Sequence, residues 1–231
     1  MSQTVPNLQN PPDYAGARDR MVDSQVRPNK VIDPRIIQAM RRLPRECFVP
    51  PAMAPLAYAD EDVPLGNGRY LMEPMIIARL VQLLQARDGD AALVVGSGPG
   101  YGAALLHACG VRVTALEDDP ALLAIARRLL SGLAQGVTLV EGPLPAGWPA
   151  AAPYDVILIE GAVAQVPDAF ATQLKPGGRV AAVLAGPGIP GHGVLAEPVA
   201  VGGSLRLRAQ PFFDAATPML PQLAPRSAFT F

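Results

Sequence analysis

Apolar positions along this chain change period several times. Between Arg18 and Phe48, Ile32, Ile36, Ile37, Met40 and Leu43 recur at steps of three and four. That spacing predicts a helix, with Asp33 as cap and Pro34 in its first turn. Residues 1–17 read as a loose tail. Residues 44–74 are rich in turn formers and long for a loop in a compact domain, and such segments tend to carry function. Pro74 opens the next predicted helix. Ile76, Ile77, Leu80, Val81 and Leu84 form its apolar face, and Arg79, Gln82 and Gln85 lie off it.

From residue 91 the pattern becomes short apolar runs alternating with helical stretches. AALVV (91–95) reads as a strand buried on both faces. A glycine-rich turn and an apolar helix through AALLHA follow. VRVTAL (111–116), VTLV (137–140) and DVILI (155–159) predict further strands, with a helix from Pro120 between the first two. A helix near Asp168–Leu174, a KPGG turn and the strand RVAAVLA (179–185) close the unit. This alternation predicts an α/β fold with a doubly wound, mostly parallel sheet. VLAEPVAV and SLRLRA, joined by a glycine pair, predict antiparallel strands at the C-terminal end. Residues 1–73 read as an N-terminal helical arm and substrate-side loop, and 74–231 as the core, together one structural domain.

Composition narrows the function classes. The 231 residues include 26 Pro and 22 Gly, too many breakers for a long-helix protein. Half the residues are hydrophobic and 17% charged, so the chain can bury a core. A net charge of −1 leaves no basic field for nucleic acid, and 5% aromatics leave no stacking platform. Two cysteines and two histidines exclude a disulfide scaffold and a thiolate or histidine metal site. The polar N-terminus does not read as a signal peptide, and no apolar run reaches membrane length. These features predict a soluble, cytoplasmic protein with no nucleic-acid or membrane partner.

The candidate chemistry sits in VVGSGPGYG. Gly96, Gly98 and Gly100 follow a buried strand and precede a helix, where backbone can approach a ligand and unpaired N–H groups point at it. The G-x-G-x-G spacing places Tyr101 where a dinucleotide loop has its third glycine, which tells against a nicotinamide dehydrogenase. Glu117 lies 21 residues after Gly96, at the end of the next strand. An acid there can accept hydrogen bonds from both hydroxyls of a ribose. Loop and acid together predict an adenosine-type ligand. Asp118 and Asp119 have a second reading, as caps of the helix at Pro120.

These residues resemble the protein-L-isoaspartate O-methyltransferases. AM..LPRECFVP (39–50), AYADEDVPLGNG (57–68), the Pro74 helix, VVGSGPGYGAALL, VTALE, GWP–APYDVILIEGA (147–162) and QLKPGGRV (173–180) follow that family's order and spacing. The resemblance covers roughly residues 18–185. It implies a Rossmann-like methyltransferase fold with S-adenosylmethionine held by Gly96, Ser97, Gly98, Gly100, Tyr101 and Glu117. It also implies Asp118, Gly142 and Leu144 on the adenine side. The implied acceptor is a carboxylate in damaged protein or peptide, or a small-molecule carboxylate, met by Arg69, Tyr70, Leu71, Met72 and Glu73.

The departures bear on the acceptor. The family pattern G-x-G-Q-T-I-S-x-P is here Gly66 to Pro74, with Met72 replacing a hydroxyl residue. Met has no hydroxyl donor. An acid two residues before the glycine loop is Val94, an aspartate after Gly142 is Pro143, and a small or hydroxyl residue after the fourth strand is Glu160. Arg69 could supply a forked donor in place of the missing hydroxyl, or be an exposed loop charge. Glu73 reads as a helix N-terminal acid. The same departures support an alternative: a non-catalytic or altered-acceptor binding or regulatory protein on the same fold. Cys47 and Cys109 read as buried small hydrophobes. His107 reads as structural, His192 as a solvated loop residue, and Arg41, Arg42 and Arg45 as a solvated helix face. Trp148 suits either a pocket wall or core packing.

Overall fold

The computed structural model describes residues 13–186 and 188–224. Helix α1 (Tyr14–Met21) leads through a π-helical turn toward α2 (Pro34–Arg42). Strands β1 (Val63–Gly66) and β2 (Arg69–Leu71) form a small antiparallel hairpin. Then come α3 (Pro74–Leu84), β3 (Ala91–Val95), α4 (Tyr101–Ala108), β4 (Arg112–Glu117), α5 (Pro120–Leu133) and β5 (Thr138–Glu141). Strands β6 (Tyr154–Val163), β7 (Leu174–Gly186), β8 (Ile189–Val201) and β9 (Ser204–Asp214) complete the order.

One seven-stranded sheet runs β5-β4-β3-β6-β7-β8-β9. The first five are parallel neighbours, and β8 and β9 join antiparallel. The alternating α/β pattern dictates this result. Ala92 to Val95 are all buried, as a strand covered by helices on both faces requires. Strand order reverses between β3 and β6. Ligands of open α/β sheets bind at such a switch point, outside the carboxyl ends of the strands. Gly96, Glu117 and Glu160 all lie there, at or near the ends of β3, β4 and β6. Among the described residues, no helix is long and apolar enough to cross a membrane.

The apolar core is continuous from the N-terminal arm into the sheet. Met21, Ile36, Met40, Phe48 and Leu71 share one cluster with Ile76, Val94, Leu105 and Val183. Asp33 caps α2 by accepting from the Arg35 N–H at 2.8 Å. Asp119 caps α5 by accepting from the N–H groups of Ala121 and Leu122, so of the two acids only Asp119 is the cap. Asp119→Ala should cost about 1 kcal/mol. Thermal unfolding should then fall by about 2–4 °C.

Several expectations are corrected. Of the proposed tail, residues 14–17 are helical, while residues 1–12 lie outside the described residues. Ile32 is 80% exposed, because the helix starts only after Asp33. The predicted helix near 168–174 is a 3-10 turn, Asp168–Gln173, and the KPGG residues fall inside β7 at a register irregularity. His192 lies in β8, with Nδ1 3.2 Å from Asp214 Oδ1, not in an open loop. Cys47 is exposed, and only Cys109 is buried. Arg45 is fully buried rather than on a solvated face. Arg41 pairs with Asp19 and Asp23 at the surface.

Candidate active site

The turn after β3 is pinned to β4. The N–H groups of Gly96 and Ser97 both donate to the Leu116 carbonyl, at 3.0 and 3.1 Å. Gly96 adopts a φ of 70°, and a Cβ there would stand 3.2 Å from Arg69 Nη2 and from the Leu220 methyls. Gly100 precedes α4 with a φ of 99°. This left-handed backbone is open to glycine and strained for other residues.

Glu117 ends β4 with no exposed surface. Its Oε2 accepts from the Gly98 N–H at 2.6 Å. Its Oε1 accepts from the N–H groups of Asp118 and Asp119 at 2.9 and 3.0 Å. Arg69 forks onto both oxygens, Nη1 to Oε1 at 2.6 Å and Nη2 to Oε2 at 2.8 Å. Burial alone would raise the Glu117 pKa. The Arg69 guanidinium and the amides of Asp119 and Gly98 outweigh it, so the carboxyl is held below its ordinary value. Asp118, 3.3 Å from Arg69, is pushed the other way to about 6 by burial and by Glu117 beside it.

Arg69 therefore occupies neither position expected of it. It is 3% exposed and spends its fork on Glu117, 48 residues away in sequence. A buried guanidinium needs a carboxylate partner, and its planar fork matches one. On the proposed adenine side, the Gly142 N–H donates to the Glu117 carbonyl at 3.2 Å. The Trp148 ring lies against Gly142, and Leu144 is fully buried.

The hairpin carries the residues expected on the acceptor side. Leu71 and Met72 are buried, while Tyr70 is exposed. The Met72 carbonyl accepts from Arg45 Nη2 at 2.5 Å, and the Ala57 carbonyl accepts from Arg45 Nε at 2.6 Å. The guanidinium also lies 4.9 Å from the centre of the Tyr101 ring, which packs edge-on against Phe48. Tyr101 thus turns its ring toward the N-terminal arm. Glu73 stands at the N-cap position of α3 but makes no side-chain capping bond. Burial first, then Asp60 beside it, pushes its pKa up to about 7.

Among the described residues, four buried polar atoms around the glycine loop and the first turn of α4 have no partner: Ser97 Oγ, the Tyr101 hydroxyl, Arg45 Nη1 and Glu160 Oε1. Such groups cost about 1–3 kcal/mol each when left unmet; Arg45 and Tyr101 face each other, while the Ser97 hydroxyl and the Glu160 oxygen have no such neighbour. Glu160 presses its carboxyl against Gly102, and burial above all pushes its pKa up to about 8. On the outer side of the loop opens an apolar cavity of about 450 Å³, lined by Phe48, Val49, Leu65, Pro99, Leu122 and Ile125. Neither Glu117 nor Met72 lines it.

Sequence reasoning did not single out Arg45 as a site residue, nor Leu220 or Asp62. Leu220 packs on Gly96 and on Gly161, and its N–H donates to the Ala162 carbonyl at 2.8 Å. Asp62 Oδ1 accepts from the Glu73 N–H and from the Thr217 hydroxyl, both at 2.9 Å. Nothing local in the sequence marks Leu220 or Asp62. Arg45 lies inside LPRECFVP, one of the stretches that carry the family resemblance, and that is the signal that could have found it.

The chain matches the family model described as Protein-L-isoaspartate(D-aspartate) O-methyltransferase over residues 17–185. It is 43% identical over 187 residues to a protein-L-isoaspartate O-methyltransferase of Methylorubrum extorquens, covering 80% of this chain and 82% of that protein. A Rhodopseudomonas palustris relative, named protein-L-isoaspartate O-methyltransferase 1, is 39% identical over 168 residues, 72% of this chain and 69% of its own. Among solved structures, a protein-L-isoaspartate O-methyltransferase superposes with a TM-score of 0.73 at 24% identity, covering 90% of this chain and 67% of that one. A putative Plasmodium falciparum member in complex with S-adenosyl-L-homocysteine superposes with a TM-score of 0.67 at 17% identity, covering 89% and 98%. These two likenesses bear on the fold. The sequence matches, spanning most of this chain and of its relatives, bear on descent: the chain belongs to the protein-L-isoaspartate O-methyltransferase family.

Proposed function

We infer that this chain is an S-adenosylmethionine-dependent O-methyltransferase that methylates a carboxylate in damaged protein or peptide. One observation carries the reading within the family. A fully buried acid, Glu117, ends β4 beside a left-handed glycine loop and the N-terminus of α4, at the switch point of a parallel sheet. The residues present fit the cofactor. Glu117 would accept from ribose hydroxyls once the Arg69 fork gives up its oxygens, and the orphaned Ser97 hydroxyl and Glu160 oxygen lie beside the loop. Gly96, Ser97, Gly98, Gly100 and Glu117 would hold it, with Asp118, Gly142 and Leu144 toward the adenine.

Bound there, the cofactor would supply an activated methyl group on a sulfonium for transfer to a carboxylate oxygen. What remains for the protein is positioning and electrostatics. An acceptor carboxylate is already ionised at pH 7 and needs no general base. Glu160 is protonated at that pH, since its pKa lies near 8, so it does not repel an anionic acceptor. Met72 offers no side-chain donor to the acceptor. Tyr70, Leu71, Met72 and Glu73 form the acceptor edge in this reading, and Arg69 stands behind it on Glu117. In this reading the arm and the sheet form one catalytic unit working in the cytoplasm.

The fork of Arg69 on Glu117, together with Met72, favours a second reading, an altered-acceptor or non-catalytic relative. Labelled methyl transfer to an isoaspartyl peptide separates the two. Transfer by the wild type, rising on Met72→Ser, is the expected result. A restored hydroxyl donor should raise kcat/KM by about 100–1000-fold, the scale of one transition-state hydrogen bond. No transfer by either protein overturns isoaspartyl methylation as the activity.

A further inference from the structure

The acid proposed to bind ribose is already engaged within the chain. Arg69, carried on β2, donates to both Glu117 oxygens, and its Nη2 reaches the Cα side of Gly96. Every direction in which Glu117 could accept is filled, because the Gly98, Asp118 and Asp119 amides hold the remainder. The hairpin that carries Arg69 is latched a second time, where Asn67 Nδ2 donates to Asp119 Oδ2 at 2.9 Å.

The segment after β9 closes the same place from the other side. The Ala162 N–H donates to the Pro218 carbonyl at 3.0 Å, and the Leu220 N–H returns to the Ala162 carbonyl. This short parallel bridge sets the Leu220 side chain, 3% exposed, over both Gly96 and Gly161. Pro221 then reaches Gly68 at the hairpin turn. Hairpin and C-terminal segment thus meet above the glycine loop.

We propose that Arg69 is an internal competitor for the ribose acid. Cofactor and acceptor hairpin then contend for the single carboxylate of Glu117, and cofactor binding releases Arg69, with Leu220 moving aside, toward the acceptor edge. The inference rests on the reading of Glu117 as the ribose acid. Physically, the protein binds cofactor only in the fraction of molecules whose Glu117 is free, so apparent affinity falls by that fraction. The coupling is reciprocal: whatever holds the hairpin down weakens cofactor binding by the factor that cofactor weakens the latch. Among the described residues no other guanidinium bonds to Glu117, so nothing replaces Arg69 when it leaves.

Titrate the full-length chain with S-adenosylhomocysteine by calorimetry. Arg69→Met keeps side-chain length and removes the fork. It should tighten binding by about tenfold or more, the scale of one charged hydrogen bond regained by the ligand. Asn67→Gly keeps the left-handed turn (φ 51°) and removes only the surface latch. It should tighten binding by about two- to fivefold, and it disturbs no buried group. Hydrogen exchange on the wild type needs no variant. On adding S-adenosylhomocysteine, amides of residues 66–70 should exchange faster while those of 96–102 slow. If the wild type binds and Arg69→Met and Asn67→Gly leave affinity unchanged or weaker, the competition is overturned while the cofactor reading stands. Slower exchange at 66–70 on binding likewise overturns the competition alone. If neither wild type nor variants bind, the cofactor reading falls and the competition with it.

Discussion

Glu117→Gln should weaken cofactor binding and destabilise the fold in one step. The neutral amide cannot accept the Arg69 fork on both sides, and the buried Arg69 is then left with only the looser contact to Asp118 at 3.3 Å as counter-charge. Removing one partner of a buried pair costs about 3–5 kcal/mol. For a domain of this size that is a fall of roughly 10 °C in Tm. Affinity for S-adenosylhomocysteine should fall by about 100-fold, the scale of two hydrogen bonds to a charged acceptor. The double variant Arg69→Met, Glu117→Gln separates the two effects. Replacing a whole buried pair is often close to neutral, so stability should largely return. Cofactor affinity should not return, because the ribose acid is still gone. A single variant that melts within a few degrees of the wild type overturns the account of the pair.

Glu160→Gln should act in the opposite direction, with a pH signature. The Glu160 carboxyl is buried against Gly102, and burial lifts its pKa from 4.5 to about 8. Arg69, Arg45 and the Gly102 amide pull it down, and Glu117 pushes it up, but desolvation is the largest influence. A folded-state pKa above the unfolded one means the folded protein holds the proton more tightly. The stabilising effect of that proton is fully present below about pH 4.5. It is lost progressively as pH rises to about 8, and is gone above it. At roughly 1.4 kcal/mol per pKa unit, the swing is a few kcal/mol. Glu160→Gln should therefore match the wild type near pH 5 and exceed it by about 2–4 kcal/mol at pH 9. Denaturant unfolding across pH 5–9 measures this directly. Parallel curves for the two proteins would show that Glu160 does not titrate in this range.

Much of this fold is legible in the sequence. Ala91–Val95 and the helices opened by Pro34, Pro74 and Pro120 lie where period and capping residues put them. The parallel sense of the sheet followed from alternation, and its antiparallel end from the runs VLAEPVAV (194–201) and SLRLRA (204–209), which fall within the longer β8 and β9. Gly96, Gly98, Gly100 and Glu117 could be singled out because a glycine turn and a strand-end acid are local patterns. The exceptions are short or ambiguous segments. Asp168–Gln173 is a single 3-10 segment, whose few residues carry no reliable period.

The sequence by itself determined the sheet, the glycine loop and the acid at the end of β4, because each arises from neighbours in the chain. Only the tertiary structure decided what the charged residues do. Arg45 became a fully buried clasp on the Met72 carbonyl, and Arg69 became the partner of Glu117. Leu220 became a cover over Gly96 and Gly161. Period and composition record whether a position is apolar, but not which distant group will neutralise a charge. A buried charge must find its counter-charge in space, and for Arg69 that lies 48 residues along the chain.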